Sequence, residues 1–227
     1  MRRYLSAASV LAALLAAGIS PALAQDYQSS VGWNGGAIMT TSLNDGAASA
    51  EVELKPDLTW VLGAHWDRWV ANGQVGFRVQ GGMARPVLPW TQGDRKIQLL
   101  MADLGLLLRP VAPSPYSTVL PFIGAGVGLI NWGLGDGPVT TFGPAGATYP
   151  GKEKPKLMAV AGLGIDLVTP FQWGEGPLVL RVEGRNHFQL TSPFDPSNPE
   201  QGDFGMIHNA VVSVGLHTGI GNLGGGR

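Results

Sequence analysis

Residues 178–190 read Leu-Val-Leu-Arg-Val-Glu-Gly-Arg-Asn-His-Phe-Gln-Leu, and no other stretch carries more information about the fold. Taken every second residue, one set of side chains is nearly all apolar. The other set contains Arg181, Glu183, Arg185 and His187. A period of two is the period of a β-strand, because successive side chains leave opposite faces of a sheet. The stretch therefore predicts a strand with one apolar face and one ionisable face.

Seven further segments alternate in a similar way, at 31–40, 58–67, 74–83, 97–109, 119–132, 157–168 and 209–220. In nearly all of them one face holds Leu, Val, Ala, Ile and aromatic residues, and the other holds Gly with polar or charged residues. Apolar-out, polar-in alternation over about ten residues is typical of membrane-spanning barrels. The predicted fold class is therefore all-β, an eight-stranded antiparallel up-and-down transmembrane β-barrel. A soluble barrel or sandwich whose charged face is solvated is the alternative.

The first two dozen residues predict an export signal. Two arginines precede an apolar run over 5–19, and a small-x-small cleavage pattern ends at Ala24. We therefore expect residues 1–24 to be a cleaved signal peptide and residues 25–227 to form one barrel domain. A retained N-terminal membrane helix is the alternative, and the short apolar run disfavours it.

Composition excludes several classes of function. The 227 residues include 34 Gly, no Cys, and 15 Lys or Arg against 16 Asp or Glu. Without a basic surplus we expect no binding of nucleic acid, and without cysteine there is neither a disulfide framework nor a thiol-ligated metal. The abundant glycine would weaken any helix, so a membrane span in the mature chain must be made by strands.

The ionisable faces predict how the interior is filled. An eight-stranded barrel is only just wide enough to be filled by side chains, and charges of opposite sign can pair across that space while glycines leave room for long arginines. The predicted lumen ion-pair network consists of Arg78, Asp103, Asp166, Arg181, Glu183, Arg185 and His187. Asp67, His65 and His217 also fall on the ionisable faces.

The connections alternate between long and short. The gaps at 41–57, 84–96, 133–156 and 192–208 are long, whereas those at 68–73, 110–118 and 169–177 are shorter. This alternation predicts loops at one end of the barrel, and turns with both chain termini at the other. Tryptophans near strand ends predict an aromatic girdle at the membrane interfaces, with core packing as the alternative for each. They are Trp60, Trp66, Trp69, Trp90, Trp132 and Trp173.

From residue 31 to residue 220 the chain resembles the small eight-stranded outer-membrane barrels of the OmpA-transmembrane-domain and OmpX kind. The resemblance rests on the export signal, the strand alternation, Pro-Phe-Ile-Gly-Ala-Gly-Val-Gly at 121–128 and the strand at 181–188. It implies a monomer in the outer membrane of a Gram-negative-type bacterium, contact with outer-membrane lipid and lipopolysaccharide, and passage through the outer-membrane insertion machinery. Ser213, Gly215, Thr218 and Ile220 match the last-strand insertion signal of such proteins loosely, without a terminal Phe.

Catalytic, cofactor-binding and metal-binding residues are not predicted. Lipid A deacylases among small outer-membrane barrels carry a His-x-Ser pair, which is absent at His208 and His217. Ser213 shares the face of His217, but that face is assigned to the lumen. The acidic residues of the predicted loops lack the regular spacing of a calcium site, and the glycines at 124–128 lack the strand–loop–helix context of a nucleotide loop.

We therefore expect a non-enzymatic protein without a cofactor, with a structural or surface-interaction role and a lumen plugged by ion pairs. A narrow channel for ions or small solutes is the first alternative. A lipid-modifying outer-membrane enzyme is the second.

Overall fold

The computed structural model describes residues 29–40, 43–44, 53–54, 58–88, 95–114, 116–133, 139–142, 147–149, 154–174, 176–189 and 207–220. Eight long strands lie in these ranges: β1 (Ser29–Thr40), β2 (Thr59–Val70), β3 (Val75–Ala84), β4 (Gln98–Leu108), β5 (Val119–Gly133), β6 (Lys156–Trp173), β7 (Gly176–Gln189) and β8 (Ile207–Gly219). Within the described ranges, no helix is long and apolar enough to cross a membrane. The predicted signal peptide, Trp90 and the acidic residues 136, 195, 200 and 203 lie outside the described residues.

The eight strands close into one antiparallel barrel. Each pairs with its neighbour in the chain, and β1 pairs with β8 to complete the circle. The closing ladder runs from Ser30 opposite Gly219 to Thr40 opposite Asn209. The ring of eight strands therefore has no free sheet edge, and the predicted all-β, eight-stranded antiparallel barrel is confirmed.

Connections of different length lie at opposite ends of the barrel. The segments after β1, β3, β5 and β7 lie at one end, here called the loop end, and the shorter segments after β2, β4 and β6 lie at the turn end. Ser29 is opposite Arg68, so β1 begins at the turn end. Gly219 is opposite Ser30, so β8 ends there too. Three short ladders extend the loop end: Leu43–Asn44 with Glu53–Leu54, Val87–Leu88 with Arg95–Lys96, and Val139–Phe142 with Ala147–Tyr149.

The hairpin between β6 and β7 is tighter than predicted. The expected turn over 169–177 is wrong, because β6 extends to Trp173 and β7 begins three residues later. Gly174 lies between them with φ +71°, a value that glycine adopts without steric cost. The ladder shifts register after Val168. Pro170, which has no N–H to donate, lies in this irregular stretch, where a missing ladder bond is tolerated.

Large apolar side chains cover the outside of the barrel. Leu62, Met83 and Leu100 form one exterior row across β2, β3 and β4, because Leu62 is opposite Met83 and Met83 is opposite Leu100. Other strongly exposed side chains include Trp33, Trp60, Leu104, Ile123, Val127, Leu157, Leu163 and Val212. A continuous apolar surface of this extent is unsuited to water and suits a hydrocarbon environment.

The interior has two layers, and only one of them has the predicted glycine-and-polar character. The half near the loop end holds an apolar cluster, here called the apolar layer. It comprises Ile38, Val61, Ala84, Ile97, Leu99, Met101, Ile130, Trp132, Met158, Val160, Ile207 and Val211. The half near the turn end holds the charged side chains. In β4 both layers occur on one face, since Leu99 and Met101 precede Asp103 at alternate positions.

The tryptophans divide between the two surfaces. Trp60 and Trp173 are exposed on the exterior, and Trp66 is partly exposed. The girdle prediction is wrong for Trp69 and Trp132, which are 3% and 0% exposed in the lumen. Both side chains lie on the lumen-facing side of their strands. Trp69, for example, is two residues after the buried Asp67 and therefore shares its face.

Candidate functional site in the barrel lumen

Arg181 of β7 is fully buried between two carboxylates. Its Nε and Nη2 donate to Asp166 Oδ1 and Oδ2 over 2.7 and 2.9 Å. Its Nη1 donates to Asp67 Oδ2 over 2.6 Å. The planar guanidinium matches this arrangement, because its donors form a rigid fork that binds a carboxylate through two parallel hydrogen bonds.

Asp67 also forms an ion pair with a second arginine. Arg78 Nε and Nη2 donate to Asp67 Oδ1 and Oδ2 over 2.8 and 3.1 Å. The remaining arm of Arg78, Nη1, donates to Glu183 Oε1 over 2.6 Å. Asp67 is thus shared by arginines on two different strands, β3 and β7, and links opposite parts of the wall.

Three further ion pairs extend the series in both directions. Arg185 Nη2 lies 2.6 Å from Asp103 Oδ1, and its Nε lies 3.7 Å from Glu183 Oε1. At the turn end, Arg109 Nη2 lies 2.9 Å from Asp166 Oδ2. The result is an alternating series of four cations and four anions, here called the ion chain. It runs Arg109, Asp166, Arg181, Asp67, Arg78, Glu183, Arg185, Asp103.

The alternation of sign accounts for the burial of so many charges. An isolated buried charge is strongly unfavourable, and one paired and hydrogen-bonded is tolerated. Apart from the two residues at its ends, every member of the ion chain has an oppositely charged neighbour on each side. The formal charges of the eight groups sum to zero. Removing one member would therefore leave its buried neighbours without an adequate counter-charge.

Two aromatic rings pack against the arginines. The guanidinium carbons of Arg181 and Arg78 lie 4.7 and 5.5 Å from the centre of the Phe122 ring. That of Arg109 lies 3.6 Å from the Trp69 ring. These are cation–π distances, at which the face of the ring attracts the cation. The rings therefore fill space in the lumen and attract the arginines that they contact.

Lumen-facing glycines provide the room for these large side chains. A Cβ added at Gly164 would lie 2.6 Å from Phe122 Cζ, and one at Gly76 would lie 2.9 Å from the Trp69 ring. A Cβ at Gly162 would lie 2.9 Å from Arg185 Cγ. All three distances are shorter than a normal carbon–carbon contact. The glycines of the inner face thus accommodate rings as well as the arginines for which they were predicted.

Polar groups within the apolar layer bind one another. Trp132 Nε1 donates to Gln189 Oε1 over 2.8 Å, and Thr40 Oγ1 donates to Asn209 Oδ1 over 2.7 Å. His187 Nδ1 lies 3.3 Å from the backbone oxygen of Asn209. These contacts satisfy hydrogen-bonding groups that would otherwise be buried at a cost.

The structure brings together six of the seven residues predicted for the network. They are Arg78, Asp103, Asp166, Arg181, Glu183 and Arg185. The seventh, His187, is buried in the lumen, but its hydrogen-bonding contact is with Asn209 and not with the ion chain. Two other histidines approach the chain more closely: His65 Nε2 lies 3.2 Å from Arg181 Nη1, and His217 Nε2 lies 3.3 Å from Asp166 Oδ1.

The predicted set omitted Asp67 and Arg109, both members of the ion chain. Asp67 falls on the ionisable face of its strand by simple alternation. Arg109 immediately follows β4, and it continues the inward positions that include Asp103 and Leu107. Strand parity is therefore a sequence signal that identifies both residues.

Two small cavities adjoin the ion chain. One, of about 10 Å³, is lined by Arg78, Glu183 and Arg185 together with wall residues. The other, of about 20 Å³, is lined by Asn34, Gln80, Asp103 and His187 among others. Each has the volume needed for about one water molecule.

The lumen also holds the serine and histidine that would be needed for hydrolysis. Ser213 and His217 are 3% and 1% exposed, and both lie inside the barrel. In the part of the chain that the structure describes, no three His, Asp or Glu side chains are grouped to hold a metal ion.

Comparison with known proteins identifies the fold. No protein-family model matches the chain, and no curated protein matches its sequence. Neisserial surface protein A superposes with a TM-score of 0.54 at 10% identity, covering 85% of this chain and 97% of that one. The outer-membrane protein OprG from Pseudomonas aeruginosa superposes with a TM-score of 0.51 at 13% identity, covering 88% and 100%. The fold is that of the small eight-stranded outer-membrane barrels. The solid-state NMR structure of AlkL in lipid bilayers agrees, with a TM-score of 0.50 at 12% identity over 91% and 96% of the two chains.

In an eight-stranded outer-membrane barrel the exterior faces hydrocarbon and the interior is enclosed by the strands. The apolar rows outside this barrel and the ion chain inside it have the orientation that such a barrel requires. A soluble barrel would place the arginines outside, so the alternative of a solvated charged face is excluded by the burial of Arg181.

Proposed function

We propose that the protein is an integral outer-membrane barrel with a structural or surface-interaction role, and that its lumen is closed. The observation that carries this proposal is the continuous series of buried ion pairs next to a layer of buried apolar side chains. The two cavities that adjoin the ion chain each have the volume of about one water molecule, which supports a closed lumen.

Three features support a location in the outer membrane. The exterior is apolar, the fold is shared with outer-membrane proteins, and the N-terminal sequence has the pattern of an export signal. In this arrangement the turn end faces the periplasm and the loop end faces outward. Outer-membrane lipid and lipopolysaccharide are then the surroundings of the exterior, and the insertion machinery is a partner during assembly. The closed strand ring supports a monomer.

The loop end is the surface available for interaction. Four long connections emerge there, and three of them carry short ladders beyond the barrel wall. A non-enzymatic role is supported by the burial of Ser213 and His217 in the lumen, away from the acyl chains that contact the exterior. Mass analysis of lipid A after incubation with the protein tests this point, and deacylation would contradict it.

The location is tested by cell fractionation combined with heat-modifiable gel mobility. We expect the protein in the outer-membrane fraction, with a folded band that shifts on boiling. Recovery in the soluble periplasm without a mobility change would refute the membrane assignment.

The closed lumen is tested separately by conductance in planar bilayers. The purified barrel is expected to pass little or no current. A steady single-channel conductance would favour the narrow-channel alternative, while leaving the membrane location unaffected.

A further inference from the structure

The lumen holds charges of both signs, whereas the described charges on the exterior at the loop end are basic. The carboxylates whose side chains the structure describes all lie in the lumen, at Asp67, Asp103, Asp166 and Glu183. Among the exposed charged side chains are Arg85 and Lys96, which lie next to one another at the loop end. In the described part of the chain, the exterior charges at this end are therefore basic.

The strand register fixes how Arg85 and Lys96 are arranged. The ladder between β3 and β4 pairs Ala84 with Leu99 and continues beyond the barrel, where Val87 pairs with Lys96. Ile97 N donates to Pro86 O over 3.0 Å between these points. Arg85 and Lys96 are thus diagonal neighbours on one face, about 7–8 Å apart, with their Cβ atoms somewhat closer.

A tryptophan completes this cluster. The ladder between β2 and β3 pairs Val61 with Ala84, and Thr59 Oγ1 donates to Arg85 O over 3.3 Å. Trp60, between those two β2 residues, therefore lies beside Arg85, and it is 80% exposed. We call Trp60, Arg85 and Lys96 the rim site. The exterior apolar row Leu62, Met83 and Leu100 follows on the side toward the turn end.

We propose that the rim site binds the phosphate headgroup of a membrane lipid whose acyl chains pack on Leu62, Met83 and Leu100. The proposal rests on the proposed membrane location. An arginine fork and a lysine ammonium are the two side chains best suited to phosphate oxygens. Both are long enough to reach one phosphate between them, and an exposed indole beside them suits the headgroup level.

The depth of the rim site agrees with a headgroup contact. Eight residue steps separate Trp60 from Arg68, the exposed cation at the other end of β2. At about 3.4 Å per step the strand covers about 27 Å, and a tilt of about 40° reduces this to about 21 Å across the membrane. The apolar band of such barrels is about 25 Å tall. The rim site and Arg68 therefore lie near opposite boundaries of the hydrocarbon.

The test is native mass spectrometry of the full chain in detergent micelles with added lipid A. The probes are lipid A with two phosphates, the same lipid after dephosphorylation, and inorganic phosphate as a competitor. A basic residue near an anionic lipid surface contributes about fivefold in affinity. The double variant Arg85→Gln/Lys96→Gln is expected to bind phosphorylated lipid A about thirtyfold more weakly. Its affinity for the dephosphorylated lipid should stay unchanged.

The matched control is Arg68→Gln, which removes one exposed arginine at the opposite end of β2. Its neighbours on the next two strands are the apolar residues Phe77 and Leu106, so no second cation lies beside it in this described part of the wall. This variant should retain lipid binding within about twofold. Equal binding of phosphorylated lipid A by the wild type and the double variant would overturn the proposal. Displacement of the lipid by millimolar inorganic phosphate would also overturn it, since the site would then recognise phosphate without a lipid.

Heat-modifiable mobility and membrane fractionation are measured on the same variants. A barrel that stays in the membrane but has no preference for phosphorylated lipid refutes the rim site alone. A wild-type protein that is not in the membrane refutes the proposed function instead.

Discussion

Arg181 and Asp166 lie directly opposite each other in the ladder between β6 and β7, and their side chains form a two-pronged ion pair inside the barrel. Asp67 and Arg78 repeat the relationship between β2 and β3. Each pair is set by the register of a single hairpin. The links from Arg181 to Asp67 and from Arg78 to Glu183 cross the lumen, and so join hairpins that are far apart in the chain.

Replacing Arg181 with leucine tests the central position of the ion chain. Arg181→Leu removes the cation shared by Asp166 and Asp67, and breaking a buried ion pair costs about 3–5 kcal/mol. We expect the free energy of unfolding in detergent, followed by the heat-modifiable band in urea, to fall by about that amount. Glu183→Leu should act in the same direction. Arg181→Lys retains the charge but loses the fork, and should lose less stability. Unchanged stability of both leucine variants would refute the ion chain as a stabilising element.

The pair Arg185–Asp103 allows the coupling within the chain to be measured. In a double-mutant cycle, Arg185→Leu and Asp103→Leu should each destabilise the barrel, because each leaves a buried charge behind. The double variant should lose less than the sum, with an interaction energy of about 1–3 kcal/mol. Urea titration of the four proteins provides the measurement. Strict additivity would show that the 2.6 Å contact contributes no coupling.

Strand parity predicts most of the barrel and much of its interior from sequence. Alternation places Arg78, Asp103 and Arg181 on one inner surface without knowledge of any contact. It cannot say which of them touch, because contacts such as Arg78 with Glu183 depend on how the barrel closes. His187 has the right parity but lies at the height of the apolar layer, where its contact is with Asn209.

The predictions are wrong at positions where residue type and strand parity indicate different faces of the barrel. Tryptophan is common at membrane interfaces, so Trp69 and Trp132 were predicted to lie there, although their positions face inward. The apolar layer was missed for a related reason. Leu99 and Met101 alternate with Leu100 and Ala102 on the exterior, so both faces of this part of β4 are apolar and the alternation gives no contrast there.

Trp132 tests the contribution of the apolar layer. Trp132→Ala empties a fully buried position and should lower the free energy of unfolding by about 3–5 kcal/mol, as for large-to-small changes in protein cores. Trp60→Ala removes the same side chain from the exterior, where lipid fills the space, and is expected to cost less than half as much. Planar-bilayer recording of both variants gives a second readout, in which Trp60→Ala should cause no rise in current. Equal loss of stability in the two variants would contradict a packed interior layer.

Two glycines in one hairpin separate the packing of the lumen from that of the exterior. An alanine Cβ at Gly164 would lie 2.6 Å from Phe122 Cζ and 2.7 Å from the backbone oxygen of Val182, which cannot move aside. At Gly184, which faces outward in the neighbouring strand, a Cβ would meet no heavy atom within 4 Å. Gly164→Ala should therefore lower the free energy of unfolding by about 1–3 kcal/mol through overpacking.

Gly184→Ala should leave stability unchanged or raise it by about 0.5 kcal/mol, since alanine loses less backbone entropy in a strand than glycine does. Urea midpoints of the two variants and the wild type, measured in the same detergent, give the comparison. The clash at Gly164 also displaces the ring that packs on Arg181, so Gly164→Ala combined with Phe122→Leu should recover part of the loss. Similar midpoints for the two alanine variants would mean that the ring is not confined by the wall of the barrel.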